Sequence, residues 1–131
     1  EAFELFTRPQ HLKSWFGQHV SLDAEPGGNF REVRSSGGEL LMTTGTVVLL
    51  QPGRCVSWSW QEPGWPGETA VRVEFGDLNQ GTCVQLTHSG WEGLKNAEEL
   101  RECRRAAWGM HLDSLSRYVR DRPMERATPY V

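Results

Sequence analysis

A histidine beside a serine, His88-Ser89, is the first pair in this chain whose types could do chemistry. An imidazole can take a proton from a hydroxyl within hydrogen-bond reach, provided a third group orients the ring. The residues around the pair alternate like a strand, and strand neighbours point to opposite faces. The two side chains therefore meet only if the turn at Ser89-Gly90 reverses one of them. The competing reading is that His88 and Thr87 satisfy backbone groups at a strand end. His111 follows Trp108 on a helical pattern. It points either inward, to hydrogen-bond a bound molecule, or to water at the helix flank, and the sequence leaves both open. His11 and His19 lie on or near a short helix and are expected to be exposed. A metal would need three or four converging ligands. The best set, His88, His111 and Cys103, has no diagnostic spacing, so no metal and no cofactor is expected. The chain has no phosphate loop, no G-x-G-x-x-G and no G-x-S-x-G. Glu98, Glu99 and Glu102 fall at a helix start, where the helix dipole favours acids.

The elements that must position these residues follow from periodicity. Ala2, Phe3, Leu5 and Phe6 form a short amphipathic helix. Thr7 and Gln10 have capping-box spacing, and Pro9 opens a second short helix ending near Trp15-Phe16-Gly17. The period then becomes two. Six strands are expected, over about 18–24, 30–33, 39–50, 55–60, 69–75 and 82–88, separated by Gly- and Pro-rich turns. Gly45 inside the third marks a bulge or bend. On the fourth, Val56, Trp58 and Trp60 share one face. The loop Pro63–Gly67 presents Trp65, either clamped on a pocket mouth or free to bind a partner. Residues 94–119 form the one long helix, with Trp108, Leu112, Leu115 and Val119 as a 4-3-4 stripe widened by Cys103, Ala107 and Met110. Glu98/Arg101 and Asp113/Arg117 are spaced to pair along it. This is an α+β pattern: a curved antiparallel meander that one helix must cover, with a pocket between them. Residues 1–123 read as a single domain and 124–131 as a loose tail.

The chain has 131 residues, 37% hydrophobic and 24% charged, enough for one sizeable core. Its net charge is 14 − 17 = −3, which offers no basic surplus for nucleic acid. No apolar run approaches the roughly 20 residues of a membrane span, and no signal segment opens the chain. Cys55, Cys83 and Cys103 fit free thiols in a reducing cytoplasm, a Cys55–Cys83 bridge being the alternative. Six tryptophans should dominate the core or a pocket.

Several local motifs, in order, resemble one family. Phe6-Thr7-Arg8-Pro9-Gln10-His11-Leu12-Lys13-Ser14-Trp15-Phe16 is similar to its opening T-x-P-x-x-L-x-x-W-F segment. Pro26-Gly27-Gly28-Asn29-Phe30, then Gly45-Thr46-Val47 leading to Pro52, then Leu86-Thr87-His88-Ser89-Gly90-Trp91 match further motifs, and Trp108, Leu112 and Leu115 match part of its last helix. The pattern resembles the START-like helix-grip (SRPBCC) superfamily, which includes birch-pollen-allergen-like, lipid-transfer and polyketide-cyclase proteins. The nearer branch is that of the activator of the heat-shock-protein-90 ATPase. That family usually begins with an edge strand before its first helix. The chain opens on a helical pattern without an initiator Met, so such a strand is expected upstream, and its absence would leave the last strand's edge unpaired. The resemblance implies an internal apolar cavity holding a lipid-like or other apolar small molecule. Its walls would be Phe16, Trp58, Trp60, Phe75, Leu86 and Trp108, with Ala107 and Met110 beside them and His88 or His111 as polar anchor. One fold hosts many functions. A chaperone-interacting, stress-response module and a cyclase- or hydrolase-like enzyme in the same cavity remain the alternatives, with binding favoured over catalysis. Monomer and homodimer are both left open.

Overall fold

The computed structural model describes residues 2–78, 81–121 and 129–130. Helices α1 (Ala2–Thr7) and α2 (Pro9–Trp15) are followed by strands β1 (Val20–Leu22), β2 (Asn29–Ser36), β3 (Glu39–Gln51), β4 (Cys55–Trp60), β5 (Thr69–Leu78) and β6 (Gly81–Ser89). A 3₁₀ turn at Trp91–Gly93 leads into α3 (Ala97–Asp121). The strands pair in chain order, each antiparallel to the next, as a meander with short turns requires. This is the expected helix-grip arrangement, a curved sheet with one long helix laid against it.

A last strand, β7 (Pro129–Tyr130), runs parallel to β6 beside Thr82 and Cys83. The sequence reading leaves this stretch as loose tail; the rest of that tail, 124–128 and 131, lies outside the described residues. Among the described residues β7 is the only partner on the outer edge of β6, so the edge from Val84 to Ser89 is unpaired.

The inward face of the sheet is aromatic. Phe30, Trp58 and Trp60 are buried, with Val47, Val56, Val71 and Val73 beneath the helices. Gly45 decides how these rings meet. It pairs with Phe30 on β2, and on the other side lies between the pairs Val47–Trp58 and Thr44–Gln61. With no side chain there, Phe30 reaches over β3 and stacks on both Trp58 (5.4 Å) and Trp60 (5.2 Å). A Cβ on Gly45 would lie 1.8 Å from the Ser59 carbonyl oxygen. The break in register comes between Val47 and Leu49, two residues beyond the glycine that predicts a bend.

The two short helices close one end. Trp15 donates its indole N–H to the Leu5 carbonyl (2.8 Å), tying α2 back onto α1. The capping box does not form. Thr7 bonds back to the Phe3 carbonyl, and Arg8 is the N-cap without a side-chain bond. His11, expected in water, is half-buried and lies 2.8 Å from the Tyr118 hydroxyl, which joins α2 to α3.

Candidate functional site

The interior stripe of α3 begins one turn earlier than its apolar residues indicate. Arg104, only 9% exposed, precedes Trp108 by four residues and continues the line through His111 and Leu115. Its guanidinium donates Nη1–H to Glu62 Oε2 (2.9 Å) and lies over the Trp60 ring (4.9 Å). Arg34 donates to the other oxygen of Glu62 (3.1 Å) and to the Thr43 hydroxyl (2.7 Å). Trp60 adds its indole N–H to Glu62 (3.0 Å). One carboxylate thus accepts from two arginines and a tryptophan, the kind of satisfaction a buried charge requires. Glu32, 8% exposed, lies in the field of both arginines. Burial raises its carboxyl above the ordinary value, and Arg34 and Arg104 offset this in part. Burial likewise works against the charge of Arg104, which Glu62 holds in place.

His88 is the hub of a second network. Its Nδ1 lies 3.0 Å from the Trp108 indole nitrogen, which can only donate. The ring proton of the neutral imidazole must then sit on Nε2, 2.7 Å from the Thr69 hydroxyl. Thr69 passes its own proton to the Trp60 carbonyl (2.8 Å), so every donor in the chain has an acceptor. Desolvation, then the nearby Arg104, pushes the His88 pKa down to about 3. The ring stays neutral, with both nitrogens engaged. It has no lone pair left for a metal and none with which to deprotonate Ser89, which is exposed on the opposite face. Neither reading of His88 from sequence anticipates this: its partners are side chains of β5 and α3. His111 stacks face to face on Phe16 (4.1 Å, 9°). Its pKa is lowered to about 4 by desolvation, then Arg104 and Arg34.

Between β6 and α3 runs an open groove with a volume of about 340 Å³. Leu86, Trp91, Trp108 and Leu112 form its apolar wall, and Arg101, Arg104 and Arg105 its helical rim. Residues 101, 104, 105, 108, 109 and 112 all line it, one continuous face of α3. Gly109 lines it from the exposed side of α3, and a Cβ there would meet nothing within 4 Å. Trp91 is held by its indole N–H to the His88 carbonyl (3.0 Å) and packs edge-on against Trp65 at 5.6 Å. The Pro63–Gly67 loop is therefore folded onto the groove wall.

Of the expected wall residues, Phe16, Trp58, Trp60, Trp108, His88 and His111 do come together, as one packed aromatic cluster. Leu86 is half-buried beside it and lines the groove. Phe75 lies elsewhere, edge-on to Phe3 and Phe6. Met110 is 72% exposed and Cys103 is exposed, since both fall off the inward arc of α3. Ala107 is half-buried and does not line the groove. Arg104, Glu62 and Gly109 are absent from the sequence-derived site. Extending the helical stripe back one turn from Trp108 would have found Arg104.

The family described as Activator of Hsp90 ATPase homolog 1-like protein matches residues 1–120. The chain belongs to that family. Solved structures share the fold. CalU16 from Micromonospora echinospora superposes with a TM-score of 0.66 at 25% identity, over 86% of this chain and 63% of that one. The chain thus spans less than two thirds of the length of CalU16. A protein from Rhodobacter sphaeroides gives a TM-score of 0.68 at 18% identity, covering 87% of this chain and 79% of the other. A protein of unknown function from Staphylococcus aureus gives 0.63 at 17%, covering 86% and 80%. The latter two show a shared fold alone. No curated protein matches the sequence. Membership in the Hsp90-activator-like family fixes the architecture and leaves the chemistry to the site.

Proposed function

We propose that this protein binds a small, largely apolar molecule in the groove between β6 and α3. The observation that carries the reading is the apolar wall of that groove, four large side chains facing an opening, with a glycine, Gly109, at its margin. A glycine inside a helix costs about 1 kcal/mol relative to alanine. Close packing repays such a cost elsewhere, but here the space above the residue is open. Gly109 keeps that margin free of a side chain, and the groove's volume falls at the lower end of the range for small-molecule sites, roughly 300–1,000 Å³. Leu86, Trp91, Trp108 and Leu112 supply apolar contact, and burial of a ligand against them contributes about 25 cal/mol per Å². His88 holds Trp108 and Trp91 in place rather than meeting the ligand with a free nitrogen.

The test is a titration with the uncharged fluorophore N-phenyl-1-naphthylamine. Saturable emission enhancement in the native protein, lost when Gly109→Leu fills the groove of a still-folded chain, supports the reading. Equal binding by the Gly109→Leu variant sinks it.

Contact with the Hsp90 chaperone is the second reading. The family's description favours it, as do Leu40, Met42 and Val48, each a large apolar side chain exposed on β3. An Hsp90 ATPase rate unaltered by excess of this chain removes it.

A further inference from the structure

The groove is apolar along its wall but carries only one sign of charge at its rim. Arg101, Arg104 and Arg105 line it, and among the described residues no carboxylate does. This is unexpected in a chain whose net charge is −3. The three guanidinium groups are not equally free. Arg104 is buried and committed to Glu62. Arg105 pairs with Glu102, but both side chains are more than 60% exposed, and such a pair is worth little in water. Arg101 is exposed and has no ion-pair partner among the described residues; the Glu98–Arg101 pair expected from spacing does not form, and Glu92 lies in the adjoining depression at the 3₁₀ turn. Arg101 and Arg105 are four residues apart on one helix face. Like charges so placed repel and destabilise the helix slightly. An anion between them removes that repulsion, and the guanidinium fork matches the two oxygens of a carboxylate or the oxygens of a sulfonate.

From this we infer the class of ligand: a small amphipathic anion, whose acid group sits between Arg101 and Arg105 while its aromatic or aliphatic body lies against Trp91, Trp108 and Leu112. The inference rests on the groove being the binding site and adds which molecules it prefers. His88, which also lines the groove, has both ring nitrogens engaged and adds no positive charge of its own, so the cationic rim alone sets the sign. Neither arginine is part of the core, and both can be changed without exposing a buried partner.

A matched pair of probes separates the two ideas. 8-Anilinonaphthalene-1-sulfonate and N-phenyl-1-naphthylamine share one ring system and differ by the sulfonate. Titrated by fluorescence into the native protein at low salt, the sulfonate should bind roughly tenfold more tightly, the order expected for charge-assisted hydrogen bonds. The preference should shrink as salt is raised. In Arg101→Gln/Arg105→Gln, with circular dichroism confirming the fold, it should fall to about twofold or less. Equal dissociation constants for the two probes in the native protein overturn the anion preference and leave the apolar groove standing. A tenfold preference that survives in the double variant overturns the assignment to these arginines. Failure of both probes to bind overturns the groove reading and this inference with it.

Discussion

His88 and His111 are kept neutral by the same two influences, loss of water and the charge of Arg104, and this has a measurable consequence. In the unfolded chain both rings titrate near 6.5; in the native state they titrate at about 3 and about 4. Between those limits the unfolded chain binds more protons, so stability is intact above pH 6.5 and is lost as pH falls. Glu32 acts in the opposite sense. Its raised pKa gives stability that is present below its ordinary value of 4.5 and lost as pH rises through the native value. Two rings outweigh one carboxyl. Solvent reaches part of each ring, so the loss between pH 7 and pH 5 is on the order of 2 kcal/mol, less than the full linkage value. Urea titrations at the two pH values measure it, and His111→Phe, which keeps the stack on Phe16, should flatten the difference by about half. Glu62 makes a sharper prediction. Glu62→Ala leaves Arg104 buried without its carboxylate and should cost about 3 kcal/mol in the same urea assay. A cost below about 1 kcal/mol would mean that water enters and replaces the carboxylate.

Among the elements, β3 and α3 each turn on a single glycine, and the two substitutions should act in opposite directions. Gly45→Ala drives a methyl group into the Ser59 carbonyl and separates Phe30 from the two tryptophans, an overpacking cost of about 1–3 kcal/mol or more. Gly109→Ala meets open space inside a helix and should raise stability by about 1 kcal/mol. Thermal melts of the two variants, one falling and one rising, check the pair. The contrast also shows what the sequence could convey. Gly45 stands out as a glycine in a strand, and its effect on local geometry is legible. Gly109 sits unremarked between Trp108 and Met110, because nothing local says whether a neighbour lies above it. Strand order and the long helix follow from hydrophobic period and turn residues, which are local signals. Arg104 and Glu62 escape a reading that looks for apolar stripes, because a charge becomes an interior residue only when its partner, 42 positions away, is known to face it. The same holds for His88, whose proton is fixed by Thr69 and Trp108, on two other elements.

At the scale of the molecule, the space between sheet and helix divides in two. Its centre is filled, by the aromatic cluster of Phe16, Phe30, Trp58, Trp60 and Trp108 and by the ion-paired group around Glu62. Its margin along β6 is open, with Trp91 and Trp108 facing the gap. The resemblance to helix-grip proteins leads one to expect an internal cavity; the structure opens this groove at the edge, along the stretch of β6 that has no outer strand partner among the described residues. The tryptophans report on this directly, because their indole N–H groups are distributed over the whole interior. Trp15 bonds to α1, Trp60 to Glu62, and Trp58 Nε1 is buried without a partner among the described residues. Only Trp91 and Trp108 line the groove. The most direct test is a proton–nitrogen NMR titration that follows the indole N–H signals as N-phenyl-1-naphthylamine is added. Saturable shifts concentrated at Trp91 and Trp108, with Trp15 and Trp58 little changed, are the predicted result. Shifts largest at Trp15 or Trp58, or none at Trp91 and Trp108 while the probe binds, would contradict the account.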